Sequence, residues 1–394
     1  MKKTLAAVAV LGAFADSALA ADVQLYGIVD TGLRYLSSDM DASFAGVGQE
    51  STDQFSMESG MASGSRWGIK GTEDLGNGLT VGFVLENQFN SDTGANNDND
   101  HFFRRESSLF IEGGFGKFAM GRIGSMNGGV SSWTKHGLMS AFGTSWQGFS
   151  ANADNTFGNS GIWDNSIAYE TPSFAGFKVF AQYGMGTNNN ENESRSDRYY
   201  GIGASYANGP LNLYFAVDSI NYQSADLTNS PYAHGDDVKD SLTIRFGGNY
   251  DFGVTKVFAL AQYYQGIRNA AGWDLSGDLI EDDVADFTTD GFKGYGLHLG
   301  SITPIGGGDL TVAAYFQDGK LENAAHLGTT DSFDVDAQYV GVTARYAYHL
   351  SKRTDAYLGA GYAKATLDTA SDLDVSHDME KELIQAYVGL THRF

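Results

Sequence analysis

The sequence predicts an all-β chain closed into a transmembrane up-and-down antiparallel barrel of sixteen strands. Three observations predict it: a composition rich in glycine and aromatics and poor in proline, many segments that alternate every second residue, and connections that take turns at being short and long. Glycine makes up 51 of 394 residues, against the usual ~7%, and proline only 4, against ~5%. Disorder and collagen both need many prolines, so neither fits. Aromatics at 13%, mostly Phe and Tyr, suit strands better than helices.

The first element is not part of the barrel. Lys2 and Lys3, an apolar run from Leu5 to about Ala15, and Ala18-Leu19-Ala20 together read as a secretory signal peptide over residues 1–20. The run is too short for a membrane span, which takes ~20 apolar residues. The barrel domain is expected over 21–394, and losing residues 1–20 moves the net charge from -23 to -24. Such an acidic chain excludes a nucleic-acid partner, whose phosphates need a basic surface. No cysteine is present, which removes disulfides and thiolate chemistry.

Strand by strand, the alternation is regular. Val23, Leu25, Val29, Leu33 and Tyr35 oppose Gln24, Tyr26, Asp30 and Arg34; Trp67 and Ile69 oppose Arg66, Lys70 and Thr72. Leu79, Val81, Phe83, Leu85 and Phe89 oppose Thr80, Gly82, Glu86 and Gln88, and the turn Gly76-Asn77-Gly78 joins these two segments into a hairpin. Further on, Leu211 to Val217, Leu242 to Tyr250 and Val340 to Leu350 repeat the pattern. Sixteen candidate strands begin near residues 23, 65, 79, 102, 117, 164, 177, 198, 211, 241, 254, 292, 309, 337, 354 and 383. The last ends on Phe394 itself, although chain ends normally fray. It is expected to pair with the first strand, with Phe394 in an aromatic girdle beside Phe177, Tyr250 and Tyr348.

Short connections at 76–78, 113–116, 172–176, 208–210, 252–253, 304–308 and 351–353 alternate with long ones at 36–64, 90–101, 124–163, 186–197, 222–240, 266–291, 318–336 and 368–382. No proline falls inside a proposed strand. Such asymmetry is the pattern of a barrel standing across an outer membrane. A ring of sixteen strands is too wide for side chains to fill, so its centre is wet and its apolar band faces lipid. Hydrocarbon satisfies no backbone polar group, which forces the sheet to close.

The stretches ADVQLYGIVDTGLRY, SRWGIKGTEDLGNGLTVGFVLENQF, FRRESSLFIEGGFGKFAMGRIGS and DNSIAYETPSFAGFKVFAQYG, with the terminal phenylalanine, resemble the general porins of Gram-negative bacteria, especially the neisserial and β-proteobacterial type. The resemblance covers essentially the whole chain after residue 20. It implies a homotrimer in the outer membrane among lipid and lipopolysaccharide, a C-terminal Phe394 serving as signal to the barrel-assembly machinery, and passive passage of ions and small hydrophilic solutes. It also implies that the third long loop, about 123–163, folds into the lumen and sets acids against a basic wall. Arg34, Arg66, Lys70, Arg104 and Arg122 stand as the basic wall, and Asp154 and Asp164 as the loop's acids. Ala168 departs from relatives that often carry a basic residue there.

A lumen with both charges facing each other across a narrow gap orders water and favours polar solutes. The alternative within the same architecture is a substrate-specific channel, and outside it a secreted adhesin or lectin-like β-protein. Acid runs at Asp274 to Asp290 and Asp368 to Glu382 could bind divalent cations that bridge lipopolysaccharide phosphates, but their spacing is not that of a calcium loop, so solvated loops are the simpler reading. No motif of catalysis, cofactor or metal binding appears: there is no nucleophile elbow, P-loop or His-Glu-x-x-His.

Overall fold

The structure is a computed structural model and describes residues 21–42, 50–128, 130–143, 161–186, 197–222, 239–270, 273–274, 291–325, 332–370 and 378–394. The strands are β1 (Ala21–Ala42), β2 (Glu50–Ser59), β3 (Arg66–Gly76), β4 (Leu79–Gln88), β5 (Glu106–Gly113), β6 (Gly116–Gly124), β7 (Ile162–Glu170), β8 (Phe177–Gly184), β9 (Arg198–Asn208), β10 (Leu211–Asn221), β11 (Leu242–Asp251) and β12 (Lys256–Ile267). After a two-residue pair, β13 (Asn269–Ala270) and β14 (Trp273–Asp274), come β15 (Phe292–Ile305), β16 (Gly308–Ala325), β17 (Ser332–Ser351), β18 (Thr354–Ala370) and β19 (Asp378–Arg393).

Apart from the β13–β14 pair, every strand belongs to one antiparallel sheet of seventeen strands that closes on itself. β2 and β3 share one stave: β2 pairs with Thr31 to Met40 of β1, and β3 with Ala21 to Ile28. The ring therefore has sixteen staves. Closure runs through β1 and β19, from Ile28↔Arg393 to Ala42↔Met379. Phe394 completes the seam by exchanging both backbone hydrogen bonds with Gly27, each 3.1 Å. Its ring occupies the place where a Cβ on residue 27 would sit, so glycine is required there. The terminus is tied down because an open edge in hydrocarbon would strand a row of backbone donors and acceptors.

The two faces separate as the alternation predicts. Leu25 is 65% exposed and Val388 56%, with Phe215, Phe246, Leu299, Val342 and Leu358 likewise exposed on the outside. On the opposite face Asp30, Ser108, Asp218, Arg245, Gln262, His298, Gln317 and Gln385 are buried among themselves and the segments that cross the interior. Phe177, Tyr250, Tyr348 and Phe394 are exposed near the short-turn end, where the girdle was expected.

Three of the expected long loops need correction. Residues 36–42 and 50–59 are strand, and β16 to β19 run well into the stretches 318–336 and 368–382 read as loops. Beyond the lipid band the outward positions become Asp39, Asp336, Asp368, Asp378 and Glu380, so the apolar half of the alternation vanishes while backbone pairing continues.

Candidate functional site

The inner wall over β3 to β6 gathers the first group of charges. Register places Tyr26, Gly68 and Glu86 side by side on the inward face. The Tyr26 hydroxyl donates to Glu86 at 2.9 Å, and Lys70, one pair further toward the short turns, lies 5.2 Å from the Tyr26 ring. Arg66 stands 3.6 Å from Glu86 and donates to the Ser63 hydroxyl and the Gly64 carbonyl, both at 3.0 Å. Both predicted cations of β3 therefore face inward. Arg105, passed over in the sequence, joins them: it is buried, ion-paired with Glu86, and donates to Gln88 at 2.8 Å. Reading a strand from residue 102 sends Arg105 outward by alternation. The chain instead bends at 105 before β5 begins, and the Arg-Arg doublet was the available signal.

The remaining predicted residues sort differently. Arg104 donates to Gln88 at 3.2 Å and approaches Asp98 at 3.7 Å. Arg34 faces inward but is neutralised by Glu58 at 2.7 Å, beside the outer half of the first stave. Arg122 is corrected: it pairs in register with Ser107, on the face of exposed Leu109 and Met120, whereas Ala119 and Ile123 point in. Asp164 is corrected too. It belongs to β7 rather than the loop and forms an ion pair with Arg122, with His101 at 3.2 Å. The register shift between Gly121 and Ile123, matched by Asn165 at φ 51°, keeps this pair on the outer face. Asp154 lies outside the described residues.

The third connection leaves β6 at Ser125, and residues 125–143 bond groups of the opposite wall. Asn127 donates to Asp218 of β10 at 2.6 Å, and Arg245 of β11 donates to the Asn127 carbonyl at 2.9 Å. Asn249 donates to the Leu138 carbonyl at 2.8 Å, and the Ala141 amide to Nε2 of His298 in β15 at 3.3 Å. The guanidinium of Arg345 in β17 lies 5.1 Å from the Phe142 ring. A Cβ at wall glycines Gly201, Gly247 or Gly300 would come within 2.6, 3.0 and 2.7 Å of Met126, Met139 and Ala141 respectively. Each missing side chain makes room for one loop side chain.

On the near wall, Ser132 bonds Glu106 through both amide and hydroxyl at 2.8 Å, and Trp133 packs with Phe110, Ala119, Ile123 and Ala168. Ala168 is thus the floor for a tryptophan, and the cation comes from the adjacent strand. Lys117 lies 4.0 Å from the Phe110 ring and 5.0 Å from that of Trp133.

A closed sheet with a lipid-facing exterior and a charged, hydrogen-bonding interior defines a transmembrane β-barrel channel. A family model for the Gram-negative porin matches residues 6–368, and the chain belongs to that family. It is 31% identical to an outer membrane porin protein of Bordetella pertussis, over the whole of both chains. With outer membrane porin protein 32 of Delftia acidovorans it shares 30% identity over 92% of this chain and 90% of that one. The anion-selective porin from Comamonas acidovorans superposes with a TM-score of 0.65 at 25% identity, covering 95% of this chain and 100% of that one. The protein is an outer-membrane porin of Gram-negative type.

Proposed function

We propose that the chain, after loss of residues 1–20 as a signal peptide, forms a homotrimeric, non-catalytic diffusion channel that passes ions and small hydrophilic solutes passively. The third loop narrows the lumen between the Arg66–Arg105–Glu86 group and the wall of Arg245 and Arg345. The observation that carries this reading is the bonding of residues 125–143 to inward groups of β10, β11 and β15. Charges of both signs at close range, in a gap with low-dielectric walls, focus the field and favour polar solutes over apolar ones. Lipid and lipopolysaccharide surround the outer band, and the barrel-assembly machinery reads the end at Phe394.

Lys70 is exposed on the inner wall and Arg66 is only half matched by Glu86, so these two supply positive potential. Neutralising both, Arg66→Gln with Lys70→Gln, is expected to shift permeability toward cations. Reversal potentials across a planar bilayer with a salt gradient measure this, and an unchanged value means that neither side chain lines the conducting path. Liposome swelling with sugars of graded size separates a general pore, whose rates fall smoothly with mass, from a substrate-specific one, which saturates.

A further inference from the structure

We propose that Asp30 is a positioning residue for the channel's charge: its carboxylate holds the inturned segment 60–65 and, through Ser63 and Gly64, fixes the guanidinium of Arg66 on the inner wall. The proposal rests on the reading above that Arg66 charges the conducting path. Asp30 is fully buried, 0% exposed, on the inward face of β1. Its carboxylate accepts from four neutral donors: the hydroxyl of Tyr357 at 2.7 Å in β18, the hydroxyl of Thr391 at 2.6 Å in β19, the Ser63 amide at 3.1 Å and the Ala62 amide. Its backbone binds the same segment, with the carbonyl taking bonds from the Gly60 amide and the Ser65 hydroxyl, both at 2.9 Å.

Between β2 and β3 the chain must leave the wall, and it turns inward. Gly60 adopts φ +73°, and Met61 is buried against Tyr357 and Tyr387, its tip filling the space left by the missing side chain of Gly32. This puts Ser63 and Gly64 where both accept from one Arg66 nitrogen. An arginine with many rotamers is thereby confined to one. A purely structural carboxylate at the closing seam needs only Tyr357 and Thr391. Here two of the four donors belong instead to the segment that grips Arg66. Four donors require the acceptor capacity of an ionised carboxylate; an asparagine offers one acceptor oxygen and turns a donor toward donors.

The test uses the full-length protein in planar bilayers, with Asp30→Asn, Ser63→Ala, Arg66→Gln and the double variant Asp30→Asn/Arg66→Gln. Asp30→Asn is expected to shift permeability toward cations, in the direction of Arg66→Gln, and the double variant to match Arg66→Gln alone, since the two act along one chain of contacts. Tyr357→Phe removes one seam donor but keeps the Ala62 and Ser63 amide bonds to the carboxylate, so it should lower thermal stability and shift permeability less than Asp30→Asn does. Should Asp30→Asn fail to fold, Ser63→Ala keeps every seam bond and should still shift permeability, by less. A crystal structure of Asp30→Asn, or of Ser63→Ala, with Arg66 unmoved overturns the proposal. Arg66 displaced but permeability unchanged supports the positioning and instead overturns the role of Arg66 in conduction.

Discussion

His136 shows what a single side chain can cost a loop. It is 2% exposed, neither ring nitrogen has a hydrogen-bond partner among the described residues, and burial pushes its pKa down to about 3, helped by the nearby positive charge of Arg245 and by His298. The folded value lies below the ordinary 6.5, so the fold holds the neutral ring. Its contribution is whole above about 6.5 and is lost as pH falls from there toward 3, at ~1.4 kcal/mol per unit, or a few kcal/mol in all. Acidification to about pH 4 is therefore expected to loosen residues 125–143 from the far wall. Single-channel records should show shorter open times there, and His136→Leu should flatten that dependence. Equal acid sensitivity in both proteins would remove His136 from the account. No motif announces this residue: a lone histidine in a loop reads as a rim residue until its burial is known. Arg122 was legible, since Phe118 and Met120 on its own strand already mark its face as the outer one. Arg105 was legible only in part: the Arg-Arg doublet marks the place, but which arginine turns inward depends on where β5 starts.

At the scale of elements, the alternation located the staves well and their ends poorly. Strand periodicity is visible only while one face is greasy. Above the lipid band Asp336, Asp368 and Asp378 stand side by side in register, and Lys364 bridges Glu380 and Glu382, so nothing in the pattern separates strand from loop. The third loop was legible as a long connection, but its docking depends on small residues far away in sequence. Gly300 is the clean test, because a side chain there meets Ala141 of the loop at 2.7 Å. Gly300→Val should cost ~1–3 kcal/mol of loop packing through overcrowding while leaving the barrel closed. A folded variant, resistant to detergent at room temperature like the parent, should show higher and noisier conductance. Parental conductance would mean that the loop does not set the narrowest section.

For the whole molecule, closure and polarity are one problem. Membrane hydrocarbon tolerates no free strand edge, and the chain meets that demand by joining its last residue to Gly27. Once the ring has sixteen staves its centre cannot be packed dry, so the apolar half of each alternation has to face lipid. The net charge of -23 then says little about selectivity, because many carboxylates stand in the outer ladders of β16 to β19 while Arg66, Lys70, Arg105, Arg245 and Arg345 point inward. The protein lacks cysteine, which makes the arrangement directly testable with single thiols. A fluorophore on Val342→Cys or Leu299→Cys, both strongly exposed on the outer face, should be quenched by brominated lipid. Lys70→Cys, exposed on the inner wall, should instead react with a membrane-impermeant, water-soluble thiol reagent, more slowly as that reagent is made bulkier. The reverse result, with aqueous reagent reaching Val342→Cys and bromolipid quenching Lys70→Cys, would turn the sheet inside out and leave a dry-cored soluble barrel. That outcome conflicts with the wall itself: a dry interior would have to take the cations Arg66, Lys70, Arg105 and Arg345 out of water at several kcal/mol each.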